Sequence, residues 1–168
     1  FNQLTAFAKK LDNHDQLEKW DGAYYSEKLK QELFNLDDEK LKPYFKLQNV
    51  QEGAFEVAKR LFGLSFTEVF DIDKYHEDVH TFEVNDAEGN LVAIFYSDFF
   101  PRKGKRNGAW MTSFKSQYIK EGKNERPHVS IVCNFTKPTE TKPSLLTFNE
   151  VTTLFHEFGH ALHGMLAN

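Results

Sequence analysis

The sequence predicts an α+β fold: N-terminal helices, a small mainly antiparallel sheet, then one last helix. Three observations predict it. Apolar residues recur at helical spacing through the first third of the chain, alternation replaces that period further on, and a capped amphipathic run comes last. The composition suits a packed interior. Of 168 residues, 40% are hydrophobic and 27% charged, the mix of a globular chain long enough to bury a core. The 17 Phe give that core, or a surface that packs on something else, unusually large rings.

The elements follow in order. Leu4, Phe7, Ala8 and Leu11 fall on one helical stripe. A second helix is expected from about Gly22 to Phe34, with Tyr24, Tyr25, Leu29, Leu33 and Phe34 on its buried side and Trp20-Asp21 as packing and helix entry. Asn35-Leu36-Asp37-Asp38 breaks it, and Asp37-Asp38-Glu39 offers caps for a short helix ending near Pro43. Val50, Ala54, Val57, Ala58 and Leu61 make the stripe of a third long helix, and Gly63 suits its C-terminal stop. Val79 to Val84 alternates, Asp86 to Asn90 is a turn with Gly where φ > 0 is wanted, and Leu91 to Tyr96 is an apolar strand. Ala109–Phe114 and Val129–Phe135 are two more strands. Between them, Arg102–Gly108 and Tyr118–Pro127 read as polar loops, and Thr136–Ser144 is a linker.

Charge and cysteine content exclude several classes. A net charge of −4 with both signs interspersed leaves no footprint for nucleic acid or an anionic membrane, so neither is an expected partner. No apolar run reaches the length of a membrane span. Cys133 is the only cysteine, which excludes an internal disulfide and a thiolate metal cluster; it reads as a small buried hydrophobe. That fits a reducing compartment, and a cytoplasmic location is expected. The chain starts on Phe1 inside a helical stripe and so reads as an excerpt.

The last helix separates packing from chemistry. Thr147-Phe148-Asn149-Glu150 is a capping box ahead of an apolar-periodic run. At about 100° per residue from His156, His160 falls near 40°, His163 near −20° and Glu157 near 100°. Val151, Leu154, Phe155, Phe158, Ala161, Leu162, Met165 and Leu166 lie between about 140° and 280°. Histidines at i and i+4 present two imidazoles that can reach one zinc, at about 2.0–2.1 Å each. The Glu after the first His projects beside such a metal, where it takes a proton from the attacking water as general base. His163 is open between a third ligand, a group that supports a ligand, and a surface histidine. Gly159 is a place where a neighbouring segment can approach the helix.

These residues resemble a known family. His156-Glu-Phe-Gly-His-Ala-Leu-His163-Gly-Met, with Leu145-Leu146 and Val151-Thr-Thr-Leu-Phe155 before it, is similar to the thimet oligopeptidase family of zinc peptidases. The likeness extends through Trp20-Asp-Gly-Ala-Tyr-Tyr25, Leu61-Phe-Gly-Leu64, Phe95-Tyr-Ser-Asp-Phe-Phe100, Gly108-Ala-Trp-Met111 and Cys133-Asn-Phe135. Lys42-Pro-Tyr-Phe45, Phe70-Asp-Ile72 with Tyr75-His76, and His163-Gly164 look most like its bacterial dipeptidyl carboxypeptidase branch.

The resemblance implies a zincin-like fold and an enzyme with one Zn2+ per site that cleaves short unfolded peptides in a channel between two mostly helical halves. His156 and His160 become zinc ligands and Glu157 the general base. The family's third zinc ligand is a Glu on a following helix, so it is not in this chain, and His163 matches a position that is not a ligand. Residues 1–168 are then expected to be a partial catalytic domain, with 1–75 mainly helical, 76–136 mainly strands and 147–168 the zinc-binding helix. Its partner is the remainder of the parent chain. The expected reaction releases C-terminal dipeptides. The alternatives are an oligopeptidase that cuts internally and, for the isolated chain, an inactive zinc-binding fragment.

Other candidates carry less. Gly108 and Ala109 open either an edge strand, where they are substrate-binding residues that pair with the main chain of an extended peptide, or a core strand in which Gly108 serves only the turn. The Arg102–Arg106 loop is read as solvated, and His76, His80 and His128 as ordinary hydrogen-bonded histidines.

Overall fold

The computed structural model describes residues 2–34 and 38–167, in two compact units, residues 1–41 and 42–168. In the first unit, α1 (Asn2–Asp12) and α2 (Asp21–Phe34) bury Phe7, Ala8 and Tyr25 together, with Leu4, Leu17 and Leu29 packed around them. Asp21 accepts a hydrogen bond from the Glu18 amide at 2.9 Å and so opens α2 as expected. Tyr24, Leu33 and Phe34, expected on the buried side, are exposed, as is Trp20. Two short helices cover only a narrow stripe of each other, so the wider arc finds nothing to bury it within the unit. The expected break at Asn35, Leu36 and Asp37, and the side chain of Asp38, lie outside the described residues. Helix α3 (Asp38–Leu41) ends this unit.

The second unit is an α+β layer. A short 3-10 turn at Lys42–Tyr44 leads into α4 (Leu47–Phe62), which starts three residues earlier than its apolar stripe suggests. The extra turn follows from an exchange with the linker: the Leu47 amide donates to Ser144 O (3.0 Å) and the Leu146 amide to Phe45 O (2.8 Å). Gly63 stops α4 at φ 70°, its amide bonded to Lys59 O, as its position predicts.

Seven strands follow: β1 (Ser65–Val69), β2 (His80–Asn85), β3 (Leu91–Asp98), β4 (Trp110–Lys115), β5 (Tyr118–Lys120), β6 (Lys123–Glu125) and β7 (His128–Val132). Five form one sheet in the order β1-β2-β3-β7-β4, antiparallel throughout except for β3 beside β7. Two elements differ from the sequence reading. β1 occupies a stretch with no assigned structure, and Phe66 on it stacks on Phe55 of α4 at 4.1 Å. The expected loop at 118–127 contains the β5–β6 hairpin, turned by Glu121 (φ 53°) and Gly122 (φ 78°). β5 is exposed at every position and β6 at two of three, so alternation of burial left no trace in their sequence.

One face of the sheet carries the core. Phe82, Val84, Ala93, Phe95, Val129 and Ile131 meet Val50, Ala54 and Ala58 of α4 and Leu154, Phe158, Ala161 and Met165 of α5 (Phe148–Leu166). The edge-to-face contacts of Phe95 with Phe55, Phe66 and Phe158 (5.8–6.1 Å) lie at its centre and explain where many of the phenylalanines go. Val57 and Leu61, expected in the α4 stripe, are exposed instead.

The polar loop after β3 is solvated as expected at Lys103, Gly104 and Arg106 but not at Arg102 and Lys105. Asp98, buried at the end of β3, receives both Arg102 guanidinium nitrogens (2.8 and 2.9 Å), Lys105 Nζ (2.8 Å) and the Tyr75 hydroxyl (3.0 Å). Lys105 also donates to Phe100 O at 2.7 Å, and its side chain is 3% exposed. A basic run looks solvated until a buried acid elsewhere claims it, and the acid lies on the preceding strand.

This cluster gives a stability prediction with a definite sign in pH. Burial alone would raise the Asp98 carboxyl, but Arg102, Lys105 and Tyr75 hold it below the ordinary range. A carboxyl lowered in the folded state stabilises fully above its unfolded value of about 3.9 and loses that contribution as pH falls through the folded value. Asp98→Asn leaves Lys105 and Arg102 uncompensated and should cost about 3–5 kcal/mol at pH 7. In urea unfolding the gap between the two proteins should stay constant from about pH 5 to 8 and narrow below about pH 4.

Candidate metal centre

Helix α5 is capped as its sequence predicts. Thr147 Oγ1 accepts from the Glu150 amide at 3.1 Å, and Glu150 Oε2 accepts from the Thr147 amide at 2.8 Å. At its other end, Arg126 donates to Met165 O (3.3 Å) and to Val92 O (2.7 Å), tying the last turn to β3. Its helical phase relative to the sheet is therefore set at both ends.

That phase differs from the wheel in one respect. The buried residues are Leu154, Glu157, Phe158, Ala161 and Met165, while Phe155 is exposed and Val151, Leu162 and Leu166 are half-buried. The buried arc thus lies about 50° closer to Glu157 than the hydrophobic arc does. Gly164 supplies the reason. A Cβ there would stand 3.3 Å from Met111 Cε and 3.4 Å from Val129 Cγ2, so the absent side chain lets α5 lean onto β4 and β7. Gly159, read as the close-approach position, has nothing described within 4 Å of its virtual Cβ. The sequence contained both glycines and no means of telling which one faced the sheet.

The two histidines converge. His156 and His160 are exposed, their rings are perpendicular at 4.7 Å, and their Nε2 atoms stand 3.2 Å apart. Two nitrogens at about 2.0–2.1 Å from one tetrahedral zinc would stand about 3.3 Å apart. The pair present therefore fits a zinc ion as a two-point chelate. Among the described residues no cluster of three or more His, Cys, Asp or Glu side chains is placed to hold a metal.

Glu157 is buried beside this pair. A depression of about 410 Å³ is lined by Ala109, Thr152, Thr153, His156 and Glu157. It brings together one imidazole, the carboxylate and one of the two predicted main-chain positions. Thr152 and Thr153, which sequence reasoning did not single out, spend their hydroxyls on Asn149 O of their own helix (2.8 and 2.9 Å). Gly108, at φ 97°, turns the chain into β4, which is an edge strand of the sheet. His163 faces a different depression, with Met111, Ser113, Ser116 and Gln117.

The remaining candidates lie elsewhere. His80 Nδ1 stands 2.6 Å from Glu68 Oε1, at the rim of a larger apolar depression of about 530 Å³ that holds none of the α5 residues. His76 Nδ1 accepts from the Asp78 amide, and His128 Nδ1 pairs with the Tyr96 hydroxyl at 3.0 Å. Burial and Lys115 together lower His128. Cys133 is fully buried, and burial pushes its thiol up to about 12, which suits packing and not reactivity.

The model of peptidase family M3 matches residues 1–168. Similar proteins include oligopeptidase A of Escherichia coli, 47% identical over 165 residues, and dipeptidyl carboxypeptidase of the same organism, also 47% identical over 165 residues. Both comparisons cover 98% of this chain and 24% of the relative. Dipeptidyl carboxypeptidase of Salmonella typhimurium is 48% identical over 152 residues, covering 90% of this chain and 22% of the relative. The chain thus spans about a quarter of the length of the curated relatives it matches. No helix among the described residues is long and apolar enough to cross a membrane.

The two glycines of α5 give a prediction. Gly159→Ala meets open space and should stabilise the fold by about 1 kcal/mol, the helix preference of Ala over Gly. Gly164→Ala must displace Met111 and Val129 and should gain less or lose stability. Equal gains in thermal unfolding would disprove the leaning of α5 onto the sheet through Gly164.

Proposed function

The chain belongs to peptidase family M3, and from that premise we propose that α5 carries the zinc and general-base half of a peptide-hydrolysing site in a zincin-like fold. The observation that carries the proposal is the 3.2 Å approach of His156 Nε2 and His160 Nε2, with Glu157 buried beside them. Zinc held there would lower a water's pKa towards about 7 and polarise the scissile carbonyl.

The chain's own residues do the rest. His156 and His160 would hold the ion, their Nε2 atoms standing 3.2 Å apart. Glu157 takes the proton of the attacking water and passes it to the departing amine. Its burial next to Ala109 keeps the carboxylate at the wall of the depression where the carbonyl must lie. Gly108 and Ala109, leading into an edge strand, offer backbone groups to an extended peptide without demanding a side chain.

Residues 1–168 act as part of a larger catalytic domain. The third zinc ligand and the groups that recognise a substrate terminus come from outside them, and the substrates are short peptides. The parent protein is placed in the cytoplasm. The favoured reaction is release of C-terminal dipeptides, supported by the likeness to the dipeptidyl carboxypeptidases. The equal likeness to an oligopeptidase A keeps an internal cut as the second reading. By itself the chain holds zinc weakly and hydrolyses little, because two ligands are fewer than the three protein ligands of catalytic zinc sites.

In the full-length protein, Glu157→Gln should retain zinc and lower kcat by about 10²–10⁴. His160→Ala should lose zinc, read by metal analysis after dialysis. Normal turnover in Glu157→Gln would end the general-base assignment. A substrate amidated at its C-terminus separates the two specificities: a dipeptide-releasing enzyme should fail on it, whereas cleavage at an unchanged rate means an oligopeptidase.

A further inference from the structure

We propose that Asn134 is a positioning residue for the substrate main chain, its side-chain amide setting the Gly108–Ala109 backbone beside Glu157. The inference rests on reading that face of α5 as the peptide-hydrolysing site.

Asn134 Nδ2 donates to two carbonyls, Arg106 O at 2.9 Å and Gly108 O at 2.8 Å. One nitrogen thus uses both its hydrogens on a single short stretch of chain. The reason lies in the sheet. β4 pairs antiparallel with β7, Trp110 opposite Val132 and Met111 opposite Ile131, and that register continued would set Gly108 opposite Asn134. The backbone ladder stops at Trp110, where Gly108 at φ 97° bends the chain. The amide of Asn134 takes over where the ladder ends.

Asn134 is itself held from the other side. The Cys133 amide donates to Asp98 O and the Phe135 amide to Phe99 O, both at 2.8 Å, which extends the β7–β3 pairing on either side of it. Arg106 lies over the Trp110 ring at 4.5 Å and closes the bend. Hydrogen bonds therefore tie the residues on either side of Asn134 to the end of β3, and the Asn134 side chain ties Gly108 to them. Ala109, the next residue, lines the depression with His156 and Glu157. A backbone meant to pair with a substrate has to stand at one height above the carboxylate, since small misplacements in such a site are expensive. Asn134 sets that height and touches no reacting atom.

Asn134→Asp keeps the shape and removes both donated hydrogens. In the full-length protein, amide exchange at Ala109 and Trp110 should speed up about tenfold, while exchange across β2 and β3 stays unchanged. In the Glu157→Gln background, which should bind without cutting, affinity for a tetraalanine peptide should weaken about tenfold, with zinc content unaltered. Unchanged exchange at Ala109 overturns the clamp. Faster exchange with unchanged tetraalanine affinity overturns its part in placing substrate. Should the Asp variant not fold, Asn134→Ser, with one donor and no charge, must show the same pattern at smaller amplitude or the proposal fails. If the Glu157→Gln parent binds no tetraalanine at all, the peptidase reading fails and the substrate role falls with it, whereas the exchange experiment still judges the clamp.

Discussion

Helix α5 has to bury an apolar stripe and present two imidazoles at the same time, and most of the second unit is arranged around that constraint. Leu154, Phe158, Ala161 and Met165 lie under the sheet, while His156 and His160 are exposed on the opposite side. A helix turns about 100° per residue, so the two demands leave little freedom in its rotation. The capping box at Thr147, the Arg126 bond to Met165 O and the leaning contact at Gly164 each restrict that rotation. Glu157 then falls on the seam between the two faces: buried like the apolar stripe, and adjacent to the histidines.

The supporting layers follow from the same need. β7 is buried beneath α5 and pairs with strands on both sides, one parallel and one antiparallel. It can therefore transmit the geometry of β3 to the edge strand β4, which borders the histidine helix. The aromatic cluster around Phe95 fills the space between sheet and helices, and its rings meet edge to face at 5.8–6.1 Å. Large rings suit this layer because a single side chain spans the gap from strand to helix.

Much of this was legible in residues that act through their neighbours along the chain. Gly63 as a helix stop, Thr147 and Glu150 as a cap, and the turn at Asp86–Asn90 are local devices, and each stands where its spacing placed it. The pair His156 and His160 converges because i and i+4 converge on any helix. What the sequence did not yield depends on residues far away. The burial of Lys105 requires Asp98, the role of Gly164 requires Met111 and Val129, and the exposure of Trp20 and Phe34 reflects what the first unit lacks to cover them. The β5–β6 hairpin was invisible for another reason. With almost every position exposed, no apolar alternation was needed to specify it.

The same distinction separates the forces at work near α5. Apolar packing positions the helix, because burial of a stripe is non-directional and tolerates small shifts. The neighbouring chain from Asp98 to Ala109 is positioned by directional bonds instead: a carboxylate gathering Arg102, Lys105 and Tyr75 at one end, and an amide gripping two carbonyls at the other. Hydrophobic burial cannot set the height of a bare backbone such as Gly108–Ala109, which offers a single methyl group to pack. Hydrogen bonds can, since they fix distance and direction together. A loop that presents main chain beside a carboxylate is therefore expected to be anchored by polar side chains on either side. Asp98 and Asn134 occupy those two places, one on β3 and the other just past β7, so both anchors share the sheet on which α5 is packed.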